Sequence, residues 1–258
     1  MIFDSHAHYD DEAFDADREE LLAQCQAQGI EYIVNVSASL ASVKTTLELA
    51  RKHPFIYAAV GVHPDEVGEL TEENFAWLKE QCQDPKTVAV GETGLDYYWD
   101  KENHEVQKYW FRRQLELAKE LGLPIIVHSR EACADTLEEI KRAHTERLRG
   151  VIHCFSYSPE TAREYLSMGY YIGIGGVATF KNAKKLKEVV KMLPLERMLL
   201  ETDCPYLAPV PYRGKRNSSL NLPYVAQAVA ELKGVEAEEV IRITNENARK
   251  LYFRGRDL

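Results

Sequence analysis

The chain has 258 residues, and its 45% hydrophobic and 28% charged content is ordinary for a globular protein. This length can bury a sizeable core, either as one large α/β barrel or as two small domains. The net charge of −9 argues against a protein that grips long duplex DNA by counterion release. It does not exclude a nucleic-acid substrate held only at one end.

Five cysteines are scattered along the chain without a C-x-x-C pair, which argues against a disulfide framework and for a reducing compartment. The first residues lack the basic and apolar regions of a signal peptide, and no apolar run approaches the length of a membrane span. We therefore expect a cytoplasmic protein that does not enter a membrane. The sequence leaves the oligomeric state open and is compatible with a monomer.

Short apolar, β-branched runs recur along the chain and predict eight strands. In chain order they are MIFDSH at 1–6, EYIVNVS at 31–37, FIYAAVGVH at 55–63, TVAVGET at 87–93, LPIIVHS at 123–129, GVIHCF at 150–155, YYIGIG at 170–175 and RMLLETD at 197–203. Segments with helical periodicity separate these runs, and two more helices, at 222–234 and 236–253, follow the last one. Strands that alternate with helices predict a parallel sheet. Eight such units in this length predict a single α/β domain over residues 1–258, a (β/α)₈ TIM barrel.

Ionisable side chains stand at the C-terminal ends of six predicted strands, the rim where such barrels collect catalytic groups. The first run contains D-S-H-A-H, in which strand alternation predicts that Asp4, His6 and His8 project from one face. Two imidazoles on one face suit a metal ion. The full set is His6, His8, His63, Glu92, His128, His153 and Asp203. Because so many ionisable groups converge on one rim, we interpret them as a metal site rather than as separately solvated residues.

Five motifs, in this order, resemble those of the TatD-type metal-dependent deoxyribonucleases, within the amidohydrolase-like metal hydrolases. They are D-S-H-A-H, V-G-E-T-G-L-D at 90–96, P-I-I-V-H-S-R at 124–130, H-C-F at 153–155 and E-T-D-C-P at 201–205. The motifs span nearly the whole chain. The resemblance implies a (β/α)₈ barrel that hydrolyses phosphodiester bonds in DNA with divalent metal ions, as an exonuclease acting on single strands or chain ends. Tyr9 departs from the aliphatic residue that more usually follows the histidine pair.

The resemblance also implies which residues bind the metal. Carried over one by one, the ligands are His6, His8, Glu92, His128, His153 and Asp203. Glu92 is the expected bridge, and the histidine pair, which some members lack, implies a site for two ions. Mixed imidazole and carboxylate donors favour zinc, manganese or a similar ion over calcium, and magnesium is a further candidate. We expect Glu92 and Asp203 to be catalytic, with Asp203 accepting a proton from the attacking water.

Three further residues are expected beside the metal ligands. Glu201 shares strand parity with Asp203 and would orient a histidine ligand such as His6 or His8, or a basic partner, unless it forms only a buried ion pair. His63 ends the third predicted strand and would contact the ligands or the substrate. Arg130, two residues after His128, would meet a phosphate or form a structural ion pair.

Two other stretches are candidates for substrate contact. The loop P-Y-R-G-K-R-N at 211–217 follows the last strand, and its cations Arg213, Lys215 and Arg216 would bind phosphate unless the loop is simply solvated. The aromatic run Y-Y-W at 97–99 would stack a nucleobase or pack its own loop. A third stretch, G-I-G-G-V-A at 173–178, matches a dinucleotide fingerprint only formally, because it does not follow the first strand.

Rival functions remain open on the sequence alone. A serine hydrolase is disfavoured because no G-x-S-x-G elbow is present. A cyclic-amide, lactone or other ester hydrolase would use the same barrel, but many such enzymes bridge their metals with a modified lysine on the fourth strand, where this chain has Glu92. A non-catalytic nucleic-acid or metal-binding protein is the other alternative, and only an assay distinguishes it.

Overall fold

Eight parallel strands, hydrogen-bonded in sequential order, form the sheet in the computed structural model, which describes residues 1–253. The strands are β1 (Ile2–Ala7), β2 (Ile30–Val36), β3 (Ile56–Val60), β4 (Thr87–Asp96), β5 (Ile125–Arg130), β6 (Gly150–Ile152), β7 (Tyr171–Ile174) and β8 (Met198–Leu200). Each overlaps one predicted run. The sheet curls into a nearly closed barrel, so the predicted fold class is confirmed.

Helices connect the strands and surround the sheet. They are α1 (Arg18–Ala27), α2 (Leu40–Lys52), α3 (Glu72–Gln81), α4 (His104–Leu121), α5 (Cys133–Ala143), α6 (Pro159–Ser167), α7 (Lys184–Met192), α8 (Leu222–Lys233) and α9 (Ala237–Tyr252). Helix α2 begins with a capping box between Ser39 and Ser42, and α4 ends at Gly122 in the left-handed conformation. Over residues 1–253, no helix is both long and apolar enough to cross a membrane.

The last helix covers the N-terminal end of the barrel interior. Tyr252 stacks on Phe3 with 5.8 Å between ring centroids, and Phe253 lies 5.5 Å from the same ring. The Tyr252 hydroxyl also donates to the backbone carbonyl of Ser5. Because this end is sealed by aromatic side chains, the opposite rim is the accessible end of the barrel.

Strands β1 and β8 meet at a seam that carries little regular pairing. Ala7 and Cys204 form one isolated parallel bridge. Two backbone hydrogen bonds flank it, from Asp203 to the His6 carbonyl and from His8 to the Cys204 carbonyl, each 2.9 Å long. The seam therefore depends on the few residues just beyond β8.

Asp4 reinforces this seam with a buried carboxylate. Its Oδ1 accepts hydrogen bonds from the backbone N–H groups of His6 and Thr202, and its Oδ2 accepts from the hydroxyls of Thr202 and Ser219. The register of β1 against β2 shifts between Asp4 and Ala7, so strict alternation fails there. The prediction that Asp4 projects with His6 and His8 is therefore wrong, since Asp4 bonds to the seam and the histidines lie at the rim.

Replacement of Asp4 tests how much the seam depends on this carboxylate. In Asp4→Ala, the backbone N–H groups of His6 and Thr202 lose their acceptor in a buried site, and we expect a loss of roughly 2–4 kcal/mol in unfolding free energy. In Asp4→Asn, the amide oxygen can serve both N–H groups while the two hydroxyls rotate to accept from the amide nitrogen. We expect that variant to lose about 1 kcal/mol or less. Urea denaturation of the metal-free proteins measures both, and equal losses would contradict the proposed pattern of acceptors.

Candidate metal centre

Glu92, on β4, lies at the centre of a cluster of histidines on the open rim. Its Oε1 is 2.9 Å from His128 Nδ1 and 2.8 Å from His153 Nε2. Its Oε2 is 3.4 Å from His6 Nε2 and 3.8 Å from His8 Nε2. The two oxygens of one carboxylate thus face two different pairs of imidazoles, which is the arrangement expected of a bridging ligand.

Asp203 completes the half of the cluster that contains the histidine pair. Its Oδ1 is 3.3 Å from His8 Nε2 and 3.6 Å from His6 Nε2. Asp203 adopts a left-handed backbone conformation with φ of 56°, which Asp tolerates better than most residues. The seam bond from its N–H to the His6 carbonyl fixes this carboxylate beside β1. The six residues that the resemblance singled out therefore lie together.

Hydrogen bonds orient two of the imidazoles toward the centre. His8 Nδ1 lies 2.7 Å from the carbonyl of Val36, which can only accept, so in the neutral ring Nδ1 carries the proton and Nε2 has the lone pair. His128 Nε2 lies 2.9 Å from Asp96 Oδ2, which leaves Nδ1 directed at Glu92. Such carboxylate and carbonyl partners hold metal-binding histidines in the required tautomer.

The chemistry of these donors fits divalent metal ions. Two nitrogens, His6 Nε2 and His8 Nε2, face each other at 3.1 Å, close to Asp203. Within residues 1–253, the groups whose donor atoms converge closely enough to hold an ion include His6, His8 and Asp203 on one side and His63, Glu92 and His128 on the other. Imidazole and carboxylate together suit zinc, manganese and similar ions.

The metal-free protein protonates these histidines unequally. Burial lowers the pKa of His8, but the hydrogen bond and charge of Asp203 outweigh it and raise the pKa to about 9. Burial likewise opposes protonation of His128, yet its bonds to Asp96 and Glu92 raise the pKa to about 9. Burial and the neighbouring His153 lower the pKa of His6 to about 4. The cluster therefore holds protons that a metal ion has to displace.

His63 lies at the edge of the cluster. Its Nε2 is 4.0 Å from Glu92 Oε1, and its ring centroid is 4.3 Å from that of His128. Its Nδ1 accepts from the backbone N–H of Asp65, so the neutral ring carries its proton on Nε2. Burial and the charge of His128 lower the pKa of His63 to about 3, which keeps it a neutral donor beside the centre.

Glu201 lies beneath His153 and closes the buried side of the cluster. Its Oε1 accepts from the backbone N–H of Cys154 and is 3.7 Å from His153 Nδ1. Burial raises the pKa of Glu201 to about 7. A Cβ on Gly173 of β7 would meet Glu201 Oε2 at 2.4 Å, so only glycine leaves room for this carboxyl group. The structure places Glu201 beside His153, a histidine of the candidate ligand set, and its role in orienting that ring stays a prediction.

Asp96 is a further residue of the candidate site, and it is not among those predicted from the sequence. Its buried carboxylate bonds to His128 through Oδ2 and accepts the backbone N–H groups of Tyr98 and Trp99 through Oδ1, each at 2.9 Å. Its position in V-G-E-T-G-L-D, four residues after Glu92 on the same strand, was the available signal.

The three cations of the basic loop after β8 contact side chains outside the metal cluster. The Arg213 guanidinium lies 4.3 Å from the centre of the Phe180 ring, and Lys215 Nζ lies 5.9 Å from that of Tyr212. Arg216 forms an ion pair with Asp17 at 2.5 Å. Contact of these three cations with phosphate stays a prediction, and Arg216 would have to leave its partner to make it.

Comparisons with known proteins agree with this geometry. Residues 3–253 match the family model described as TatD related DNase. The chain belongs to this family. It is 47% identical to the uncharacterized metal-dependent hydrolase YabD of Bacillus subtilis, over 98% of this chain and 99% of that protein. It is 33% identical to a protein of Erwinia tasmaniensis named 3'-5' ssDNA/RNA exonuclease TatD, over 97% and 99% of the two chains. The protein is thus a metal-dependent hydrolase of the TatD family.

Solved structures of TatD proteins have the same barrel. The Escherichia coli TatD homologue YjjV superimposes with a TM-score of 0.92 at 31% identity, covering 98% of both chains. A TatD-family hydrolase of Entamoeba histolytica gives 0.89 at 25% identity, again over 98% of both. An organophosphorus hydrolase of Deinococcus radiodurans gives 0.62 at 16% identity over 97% of this chain and 92% of that one, a likeness of fold alone.

The protonation of His8 and His128 gives the metal affinity a definite pH dependence. Below about pH 9 both rings are in the cationic imidazolium form. A metal ion that binds to either ring has to displace one proton from it. The apparent affinity for Mn²⁺ should therefore rise between pH 6 and pH 8.5, approaching about tenfold per pH unit for each proton displaced. Titration calorimetry at constant ionic strength measures this dependence. An affinity that stays constant over this range would show that metal binding displaces no proton from these two histidines.

Proposed function

We propose that this chain is an exonuclease that hydrolyses phosphodiester bonds in DNA, acting on single strands or chain ends with two divalent ions per chain. The observation that carries the proposal is the position of the Glu92 carboxylate, whose two oxygens face separate pairs of imidazoles. A shared carboxylate holds two ions at the separation that in-line phosphoryl displacement requires. The relative named as an ssDNA/RNA exonuclease supports the same substrate class.

In this proposal, His6, His8 and Asp203 would hold one ion and His128 and His153 would hold the other, with Glu92 contributing to both. When bound, the ions activate a water and neutralise charge on the phosphate. The remaining work belongs to the protein. Burial opposes ionisation of Asp203, but its hydrogen bond to His8 and the nearby histidines lower its pKa, so at neutral pH its carboxylate is free to accept the proton of the attacking water.

Two more residues contribute at the substrate side. His63 offers its Nε2–H to a phosphate oxygen, because Asp65 occupies its other nitrogen. Arg130 ends β5 two residues after His128, and its side chain is exposed. Its guanidinium provides a fixed positive charge for a phosphate next to the bond that is cleaved. Both roles use groups that are already oriented in the fold.

Metal removal tests the proposal. Thorough chelation should abolish hydrolysis of a single-stranded oligodeoxynucleotide, and addition of Mn²⁺, Zn²⁺ or Mg²⁺ should restore it. The assay panel includes RNA, an aminoacyl-tRNA ester and a cyclic amide, with release of mononucleotides from DNA as the main readout. We expect single-stranded DNA to be cleaved faster than a blunt duplex of the same sequence.

Hydrolysis that persists at full rate in protein with no detectable metal would exclude metal catalysis. A panel in which the cyclic amide or the ester turns over and DNA does not would replace the nuclease assignment with that of a related hydrolase.

The roles of Asp203 and Glu201 are separable by conservative substitution. Asp203→Asn removes the charge and the proton acceptor with little change in volume, so nearly all turnover should be lost while the fold persists. Glu201→Gln alters a carboxyl group that contacts His153 from behind, so activity or metal affinity should fall by about 10–100-fold. Turnover and bound metal are measured at saturating metal. A larger loss of turnover in Glu201→Gln than in Asp203→Asn would reverse the two assignments.

A further inference from the structure

The loop after β4 carries aromatic side chains that differ sharply in their surroundings. Tyr97 is committed to the fold, since its ring stacks on His104 with centroids 3.6 Å apart and its hydroxyl donates to Asp135. Tyr98 and Trp99 are instead 41% and 66% exposed. Packing within the loop therefore explains why the first position is aromatic, but it does not explain the two exposed aromatic residues that follow.

The backbone of Tyr98 and Trp99 is hydrogen-bonded to a residue that contacts the metal cluster. Asp96 accepts both of their backbone N–H groups with Oδ1, while its Oδ2 bonds to His128. One buried carboxylate thus connects a histidine of the cluster to the backbone that presents the exposed rings. The backbone that carries these rings therefore has a defined position beside the cluster.

Arg130 completes the surface. Its guanidinium carbon lies 4.0 Å from the centre of the Tyr98 ring and 5.4 Å from that of Trp99. Its backbone carbonyl accepts from Tyr97, which joins β5 to the loop. The Arg130 side chain is exposed. We call Tyr98, Trp99 and the guanidinium of Arg130 the aromatic ledge.

We propose that the aromatic ledge binds one unpaired nucleobase of the substrate strand, with its base stacked on Trp99 and its phosphate next to Arg130. This inference rests on the proposed nuclease function. A positive charge and an open indole face, side by side, match the phosphate and the planar base of one nucleotide. A base inside a duplex is already stacked and paired, so it has to leave the helix before it can lie on Trp99.

The ledge therefore selects strands whose bases are free, through contacts that do not depend on which base is present. It acts apart from the cluster, because Trp99 touches the base and not the reacting phosphate. Its removal should weaken the binding of single strands and leave the binding of a backbone without bases nearly unchanged.

Binding is tested in the metal-loaded Asp203→Asn protein, which prevents cleavage during the measurement. The probes are a decathymidylate and a decamer of the same sugar-phosphate backbone without bases, both followed by fluorescence anisotropy. Addition of Trp99→Ala should weaken decathymidylate binding by about 10–100-fold and change that of the baseless decamer by less than about threefold. Trp99→Phe, which keeps an aromatic ring, should remain close to the parent protein.

Intrinsic fluorescence gives a second readout. The chain has three tryptophans, of which Trp110 is buried and Trp77 half-buried, so a stacked base should quench mainly the emission of Trp99. Quenching by decathymidylate should disappear in Trp99→Phe and persist in the control Tyr109→Ala, which removes an exposed aromatic side chain on α4. Because the two tests use different substitutions of Trp99, an unstable variant in one of them does not prevent a conclusion from the other.

Three results would overturn the inference. Unchanged decathymidylate binding in Trp99→Ala, while the parent enzyme still cleaves DNA, would remove the ledge from the substrate site and leave the proposed function intact. An equal loss for both decamers would assign the effect to the backbone. Failure of the parent protein to bind or cleave any strand, with every metal, would overturn the proposed function and the ledge together.

Discussion

The functional centre depends on the closure of the barrel between its first and last strands. His6 and His8 are carried by β1, and Asp203 follows β8, so these groups meet only where the two ends of the sheet join. Regular pairing contributes little there, and the junction is held by a few backbone bonds and by the Asp4 carboxylate. A defect in this seam would separate one set of candidate ligands while leaving the remaining strand pairs in place.

Two buried carboxylates, those of Glu92 and Asp96, position the other groups of the rim. Glu92 divides its oxygens between two pairs of imidazoles, while Asp96 orients His128 and fixes the loop that follows β4. Burial alone would favour the neutral form of Glu92, but the surrounding histidines lower its pKa far below its usual range. The electrostatics of the centre are thus balanced within the cluster, in a protein whose overall charge is −9.

The periodicity of the sequence was sufficient to predict the barrel, because eight apolar runs alternate with helical segments over the full length. Strand-end positions also predicted that the six candidate ligands converge. Alternation failed at Asp4, where an irregularity in β1 redirects a side chain without any mark in the sequence. Neither the particular histidine that Glu201 contacts nor the ion pair of Arg216 was predictable, because each depends on residues far away in the chain.

The seam has a consequence for the order in which the protein is made. Asp4 and Thr202 are 198 positions apart, and the aromatic rings that cover Phe3 come from the last described turn of α9. During synthesis, β1 therefore emerges from the ribosome long before β8 and α9 exist. Contacts of such high sequence separation form late and slow folding. Until then the newly made strand exposes an unpaired edge, and a chaperone that shields it would raise the yield of active enzyme.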